Sequence, residues 1–145
     1  MSNRKNLKIL SEMLGMMMGG FILFNIAFIL AFGVHTLVSI TFIRQIVPWH
    51  YGYIFIIGVL SWFVLKRNLN PFLKATYLTL PLMVGLVEIG LNFYSHPIWV
   101  AVISLIFMSG ALFLIIKKKL PWQFYFSVFY VSILGIVIMV FNIQI

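Results

Sequence analysis

The sequence predicts an all-α integral membrane protein, a bundle of five transmembrane helices with a cytoplasmic N-terminus and an external C-terminus. Two features of composition favour this fold class: 63% of the 145 residues are hydrophobic and only 8% are charged. A soluble domain carries about 25% charged residues. The third observation is a series of five apolar runs, separated by short polar breaks. Such a chain needs apolar surroundings, and its length suits one transmembrane domain.

The five predicted spans follow from the helix length that crosses a bilayer. About 20 apolar residues cover the ~30 Å of hydrocarbon. The predicted spans cover residues 12–34, 49–65, 72–94, 98–116 and 121–142. The basic N-terminus followed by an apolar run is typical of a signal peptide, but the run is longer than the usual ~7–15 residues. We therefore expect a retained first helix.

The first apolar stretch is too long for a single upright crossing. Residues 13–43 contain no formally charged side chain, and a helix of that length measures about 46 Å. We expect the first helix to end near Gly33, followed by residues 35–48 as an outer interfacial segment with Arg44 facing water. A single long, tilted helix is the alternative interpretation.

The basic residues predict the orientation of the bundle. With the N-terminus in the cytoplasm, one basic residue, Arg44, lies outside, and the other nine lie inside: Arg4, Lys5, Lys8, Lys66, Arg67, Lys74, Lys117, Lys118 and Lys119. This positive-inside bias favours five crossings over four, and one orientation over dual topology. Membrane lipids with anionic headgroups are the expected partners of these cations, and nucleic acid is not.

Glycines on the first helix predict a close contact between helices. Gly15 and Gly19 have the GxxxG spacing, and Gly20 follows directly. Small residues let two backbones approach where burial from water gives no driving force. Packing against a neighbouring helix of the same chain is the simpler interpretation. A homo-oligomer, or a contact with another membrane protein, is the alternative.

The third span carries the main candidate functional residue, Glu88. Pro81, Gly85, Glu88 and Asn92 share one face of the predicted helix. A charged side chain at the centre of a spanning helix costs at least about 2.5–3.5 kcal/mol, so such residues face protein or a water-filled cavity. We predict a helix kinked near Pro81, with Glu88 and Asn92 lining an ion or substrate pathway. A structural, hydrogen-bonded acid is the alternative.

Apart from Lys74 at the inner end of the third span, no basic residue lies within a predicted span, and none lies near Glu88 to neutralise it. The candidate partner within the pathway is Asn25, and the candidate partners on the outer side are Arg44, His50 and His96. The histidines come from separate segments without the ligand spacing of a zinc site. We therefore expect no metal and no other cofactor.

The carboxylates argue against catalysis. Glu12 and Glu88 are the only two acids in the chain, and the predicted topology separates them across the membrane. The sequence favours a small, non-enzymatic transporter or channel subunit in the cytoplasmic membrane of a prokaryote. A non-catalytic accessory, assembly or immunity-type membrane protein is the first alternative. A membrane-embedded lipid-modifying enzyme is the second, with the least support.

Overall fold

The computed structural model describes the fold of residues 2–41 and 49–140, and the side-chain surroundings of residues 4–33 and 52–138. All regular secondary structure within these ranges is helical. Five helices follow one another, named α1 to α5: Ser2–Thr41, Trp49–Lys66, Pro71–Asn92, Pro97–Lys117 and Trp122–Val140. The prediction of an all-helical chain with five helices is confirmed.

Local sequence signals set the ends of α3 and α4. The side chain of Asn70 accepts a hydrogen bond from the backbone N–H of Phe72 at 3.1 Å, which satisfies a donor that the first helical turn leaves free. Pro71 and Pro97 open α3 and α4, where a missing N–H group costs nothing. After α4, Lys119 adopts a positive φ of 49°, the left-handed conformation that often ends a helix.

Helix α1 differs most from the predicted boundaries. It begins at Ser2 and continues without a break through Gly33 to Thr41, so it does not end near Gly33 as expected. A glycine inside a helix costs only about 1 kcal/mol relative to alanine, and residues 34–41 contain no proline. The 40 residues measure about 60 Å, as in the alternative of one long helix. Of the expected interfacial segment, residues 42–48 lie outside the described residues.

Helix α3 is central, because it packs against all four other helices. The contacts between α1 and α3 follow the same order along both helices: Gly15 with Phe72, Gly19 with Thr76, and Gly20 with Thr79. The two helices therefore run parallel. Since Gly20 lies level with Thr79, α1 extends beyond α3 in both directions.

Helix α5 runs in the same direction as α1 and α3. Ser127 contacts Ala75 near the start of both helices, and Gly135 contacts Leu86 further along. The connections between successive helices are short, so α2 and α4 run in the opposite direction. All nine basic residues predicted to be cytoplasmic therefore lie at one end of the bundle, which we call the basic end.

The main cluster of buried side chains joins α3 and α5 with α1 and α4. The main apolar cluster includes Met16, Ala75 and Val128, all fully buried. A smaller cluster joins α2 to α3 through Ile57, Leu80 and Val84. The tightest packing is therefore on the α1–α3–α5 side of the molecule.

The outer faces of the helices are apolar as well. Large hydrophobic side chains such as Phe55, Trp62 and Leu105 are more than half exposed. Three helical segments are long and apolar enough to cross a membrane: Arg4–Gly33, Pro71–Asn92 and Pro97–Lys117. Two shorter segments, Gly52–Lys66 and Trp122–Ile138, are also apolar. This distribution is the reverse of a water-soluble bundle, in which charged residues cover the outer faces.

Candidate functional site

The glycine groove of α1 is filled by α3. A Cβ atom added at Gly19 would lie 2.8 Å from Cγ2 of Thr76, and one added at Gly20 would overlap the side chain of Thr79. Thr79 is fully buried and donates its hydroxyl to the carbonyl of Thr76 at 2.7 Å. These residues form an internal contact, so the groove is occupied within the chain.

Gly85 makes a similar contact on another face of α3. A Cβ atom added there would lie 2.6 Å from Cζ of Phe107 in α4. Pro81 lies one turn earlier within α3, and the helix continues through it. Because proline lacks an N–H group, the carbonyl of Tyr77 loses its usual helical donor. The kink expected at Pro81 stays a prediction.

Glu88 is half-buried near the end of α3 that is distant from the basic end. The side chain of Asn92 donates a hydrogen bond to the backbone carbonyl of Glu88 at 2.9 Å and approaches the carboxylate oxygen Oε2 at 3.4 Å. The phenol of Tyr53 in α2 lies within electrostatic range of this carboxyl group. Among the described residues, Asn92 is the one hydrogen-bond partner of this acid.

The position of Glu88 around α3 follows from its neighbours. Val84 packs in the cluster with α2, and Gly85 contacts α4. At about 100° per residue, Glu88 lies roughly 40° from Val84 and roughly 60° from Gly85, on opposite sides. The carboxylate therefore lies at the boundary between the sides of α3 that face α2 and α4.

Neither Asn25 nor His96, the two other candidates whose side chains the structure describes, forms a hydrogen bond with Glu88. Asn25 donates its side-chain amide to the carbonyl of Phe21 in its own helix at 2.7 Å. It lies nine residues, or about 2.5 turns, after the buried Met16, which places it on the opposite face of α1. His96 is exposed at the start of α4. Arg44 and the side chain of His50 lie outside the described residues.

A second polar contact, which the sequence analysis missed, lies at the basic end. Nε2 of Gln123 donates to Oε2 of Glu12 at 3.2 Å, joining α5 to α1. Oε1 of Gln123 is buried without a hydrogen-bond partner. A signal was available, because Glu12, Gly15 and Gly19 are spaced i, i+3 and i+7. This spacing places Glu12 on the packing face of α1.

Ser127 adds a further bond between helices, one turn beyond Gln123 in α5. Its hydroxyl donates to the carbonyl of Ala75 in α3 at 2.7 Å and also approaches the carbonyl of Gln123 at 3.1 Å. The α1–α3–α5 side is thus held by polar contacts as well as by close packing. Tyr53 and Ser127 give no pattern in the sequence that would have singled them out.

Two clefts on the surface of the bundle are shallow and apolar. One is lined by Phe55, Gly58, Val59 and Trp62 on α2, and the other lies along α4 around Gly110. Neither includes Glu88. Within residues 4–33 and 52–138, no three His, Asp or Glu side chains come together as a ligand set for a metal ion.

Comparison of the chain with protein families, curated proteins and solved structures found no match.

Proposed function

We propose that this chain crosses a membrane five times, with the basic end in the cytoplasm and the C-terminus outside. The apolar outer faces of the helices and the nine cations at one end support this placement. Even the 18 residues of α2 measure about 27 Å, close to the hydrocarbon thickness. The proposed location is the cytoplasmic membrane of a prokaryote.

Within that membrane, the proposed role is a subunit of a transporter or channel. One observation carries the proposal: the Glu88–Asn92 pair is the acid and amide of an otherwise apolar stretch of α3. Carboxylates inside membrane helices are costly and mark ion pathways and proton relays. Glu88 is the group that binds a proton or cation, and Asn92 orients its carboxylate.

The pathway forms between subunits and not within one bundle. Glu88 is half-buried at the boundary of the α2 and α4 sides of α3, and neither of the two apolar clefts, on α2 and on α4, includes it. A carboxylate left on the outer surface of a lone bundle would face lipid, at a cost of about 2.5–3.5 kcal/mol or more. A second copy, or another membrane protein, covers this side and encloses the acid.

An accessory or assembly role is the second candidate. It is favoured by the same side of α3, at the boundary between α2 and α4, where Glu88 lies. A partner cannot use the glycines of α1 without displacing Thr76 and Thr79. It would instead cover the side of α3 that carries Glu88, where a donor on the partner would bind the carboxylate. Both candidates require a partner at Glu88, and only the first requires ion movement.

The two roles are separated by reconstituting the purified chain into vesicles that contain a dye sensitive to the ion tested, H⁺, Na⁺ or K⁺. Fluxes are driven by imposed gradients of H⁺, Na⁺ or K⁺. We expect the wild-type chain to move protons or one of these cations. Glu88→Gln should reduce the flux to the level of protein-free vesicles, because the amide cannot take up a proton or attract a cation.

The matched control is Glu12→Gln, the same substitution at the other acid, which should leave the flux unchanged. Melting temperatures in detergent show whether each variant is folded. Equal flux in wild type and Glu88→Gln would contradict the proposal. A wild-type chain that moves none of the three ions but co-purifies with a second membrane protein would favour the accessory role.

A further inference from the structure

The cations of the basic end are not neutralised within the chain. Nine basic side chains lie there with one acid, Glu12, which is bonded to Gln123. None of the nine forms an ion pair with another described residue. Lys66 makes a cation–π contact, with Nζ 5.8 Å from the ring centroid of Trp62. These cations can therefore bind anionic groups from outside the chain.

The first part of the site is the N-terminal extension of α1, which comprises residues 2–13. Because Gly15 lies level with Phe72, near the start of α3, about 12 residues of α1 project roughly 18 Å past that start. Arg4, Lys8 and Glu12 are spaced four residues apart along it. This spacing places Arg4 and Lys8 on the same face of α1 as the residues that pack against α3 and α5, beyond the end of the bundle.

The second part is the connection between α4 and α5, with Lys117, Lys118 and Lys119 all exposed. The 3.2 Å bond between Gln123 and Glu12 fixes the start of α5 against α1. Lys8 is one turn before Glu12, and Lys119 is four residues before Gln123. The bond therefore brings Lys8 and Lys119, the nearest cation of each group, to the same corner of the basic end.

The extension also has an apolar stripe, which identifies the kind of partner. Leu7, Leu10 and Leu14 are spaced i, i+3 and i+7, and they are 68%, 54% and 52% exposed. This stripe lies on the side of α1 opposite Lys8 and Glu12. An acidic soluble protein would bind the cations but leave these leucines in water. A phospholipid layer accepts the leucines among acyl chains and the cations among phosphates.

We propose that the α1 extension and the α4–α5 connection form a binding site for an anionic phospholipid headgroup. Arg4, Lys5 and Lys8 bind the phosphate from one side, and Lys117, Lys118 and Lys119 bind it from the other. The Glu12–Gln123 bond positions the two groups. This site requires the membrane placement proposed above, but it does not require transport.

The test measures lipid retention by native mass spectrometry of the full chain in detergent. Phosphatidylglycerol or phosphatidylcholine is added as the probe. The variant Lys117→Gln/Lys118→Gln/Lys119→Gln removes one side of the site. Each cation near an anionic surface contributes roughly fivefold, so the preference for phosphatidylglycerol should fall on the order of 100-fold.

The matched control, Lys66→Gln/Arg67→Gln/Lys74→Gln, removes three charges from the same end of the bundle but outside the site. Because these three cations lie outside the site, we expect its preference for phosphatidylglycerol to fall much less than that of the first triple variant. An equal loss in both triple variants would show diffuse attraction and overturn the site, as would a wild-type chain without preference for the anionic lipid. Recovery of an acidic soluble protein on the cations, with no retained phosphatidylglycerol, would also overturn it.

The melting temperature with added lipid is a second measurement, which keeps the test decisive if a variant folds poorly. Phosphatidylglycerol should raise the melting temperature of the wild type and of the control more than phosphatidylcholine does. It should not do so for the variant of the α4–α5 connection. These measurements involve no flux, so a failed transport assay leaves the lipid result to stand or fall separately.

Discussion

The two carboxylates of this chain each contact one amide side chain, and the two pairs differ in what they join. Gln123 reaches Glu12 from a different helix, 111 positions away in the sequence. Asn92 lies four residues from Glu88 in the same helix. The first pair links α1 to α5 on the closely packed side, and the second pair links no helices. A polar pair in an apolar bundle can thus hold the fold together or be left for an external partner.

The glycines show the same contrast between the two sides of the molecule. Gly20 on α1 is buried against Thr79, whereas a Cβ atom added at Gly58 on α2 meets no described atom within 4 Å. Close packing on the α1–α3–α5 side leaves no room for larger side chains. The outer face of α2 has room for them. Substitutions on the two helices test this difference in packing.

The largest effect is expected for Gly20→Leu. The new Cβ would lie 3.0 Å from Cβ of Thr79, and threonine in a helix has little rotamer freedom with which to move away. Overpacking of this kind lowers the free energy of unfolding by about 1–3 kcal/mol, or more. Equilibrium unfolding in mixed micelles measures the change.

The matched control for this substitution is Gly58→Leu, which should not lower the free energy of unfolding, because it removes the cost of about 1 kcal/mol that a glycine carries inside a helix. Equal destabilisation by the two leucines would mean that the α1–α3 contact is no tighter than the surface of α2. That result would contradict the difference in packing between the two sides of the molecule.

An intermediate effect is expected from removing the two amides. Gln123→Ala deletes the bond to Glu12 between α5 and α1, and a hydrogen bond of this kind contributes about 1 kcal/mol. Asn92→Ala deletes a longer contact within one exposed turn, so we expect less than about 0.5 kcal/mol. The same unfolding assay compares them. A larger loss for Asn92→Ala would show that the Glu88 pair is a structural element.

A smaller effect than for Gln123→Ala is expected for Ser127→Ala. Its hydroxyl donates to the carbonyl of Ala75 in α3 at 2.7 Å, and bonds between membrane helices contribute about 0.6 kcal/mol on average. Ser132→Ala in the same helix is the control. Ser132 donates only to the carbonyl of Val128 in its own helix, at 2.8 Å, so its removal should be neutral. Melting temperatures in detergent, measured side by side, resolve the difference.

Several parts of the site were accessible from sequence and others were not. The spacing of Gly15, Gly19 and Gly20 predicted a close helix contact, since small residues at helical spacing share one face. The same spacing could have revealed Glu12, because it lies on that face. Gln123 could not have been found in this way. Its partner is 111 positions away, and the pairing exists only after α1 and α5 lie side by side.

The length of the apolar runs and the polar breaks between them determined the number of helices, because each connection needs residues that end a helix. The sequence also determined that the nine cations share one end, since successive helices with short connections alternate in direction. Only the tertiary structure decided that α3 is central, that α1 continues past Gly33, and that Thr76 and Thr79 fill its groove. These features depend on which faces meet, and an apolar helix with few polar residues carries little information about the rotation at which it will pack.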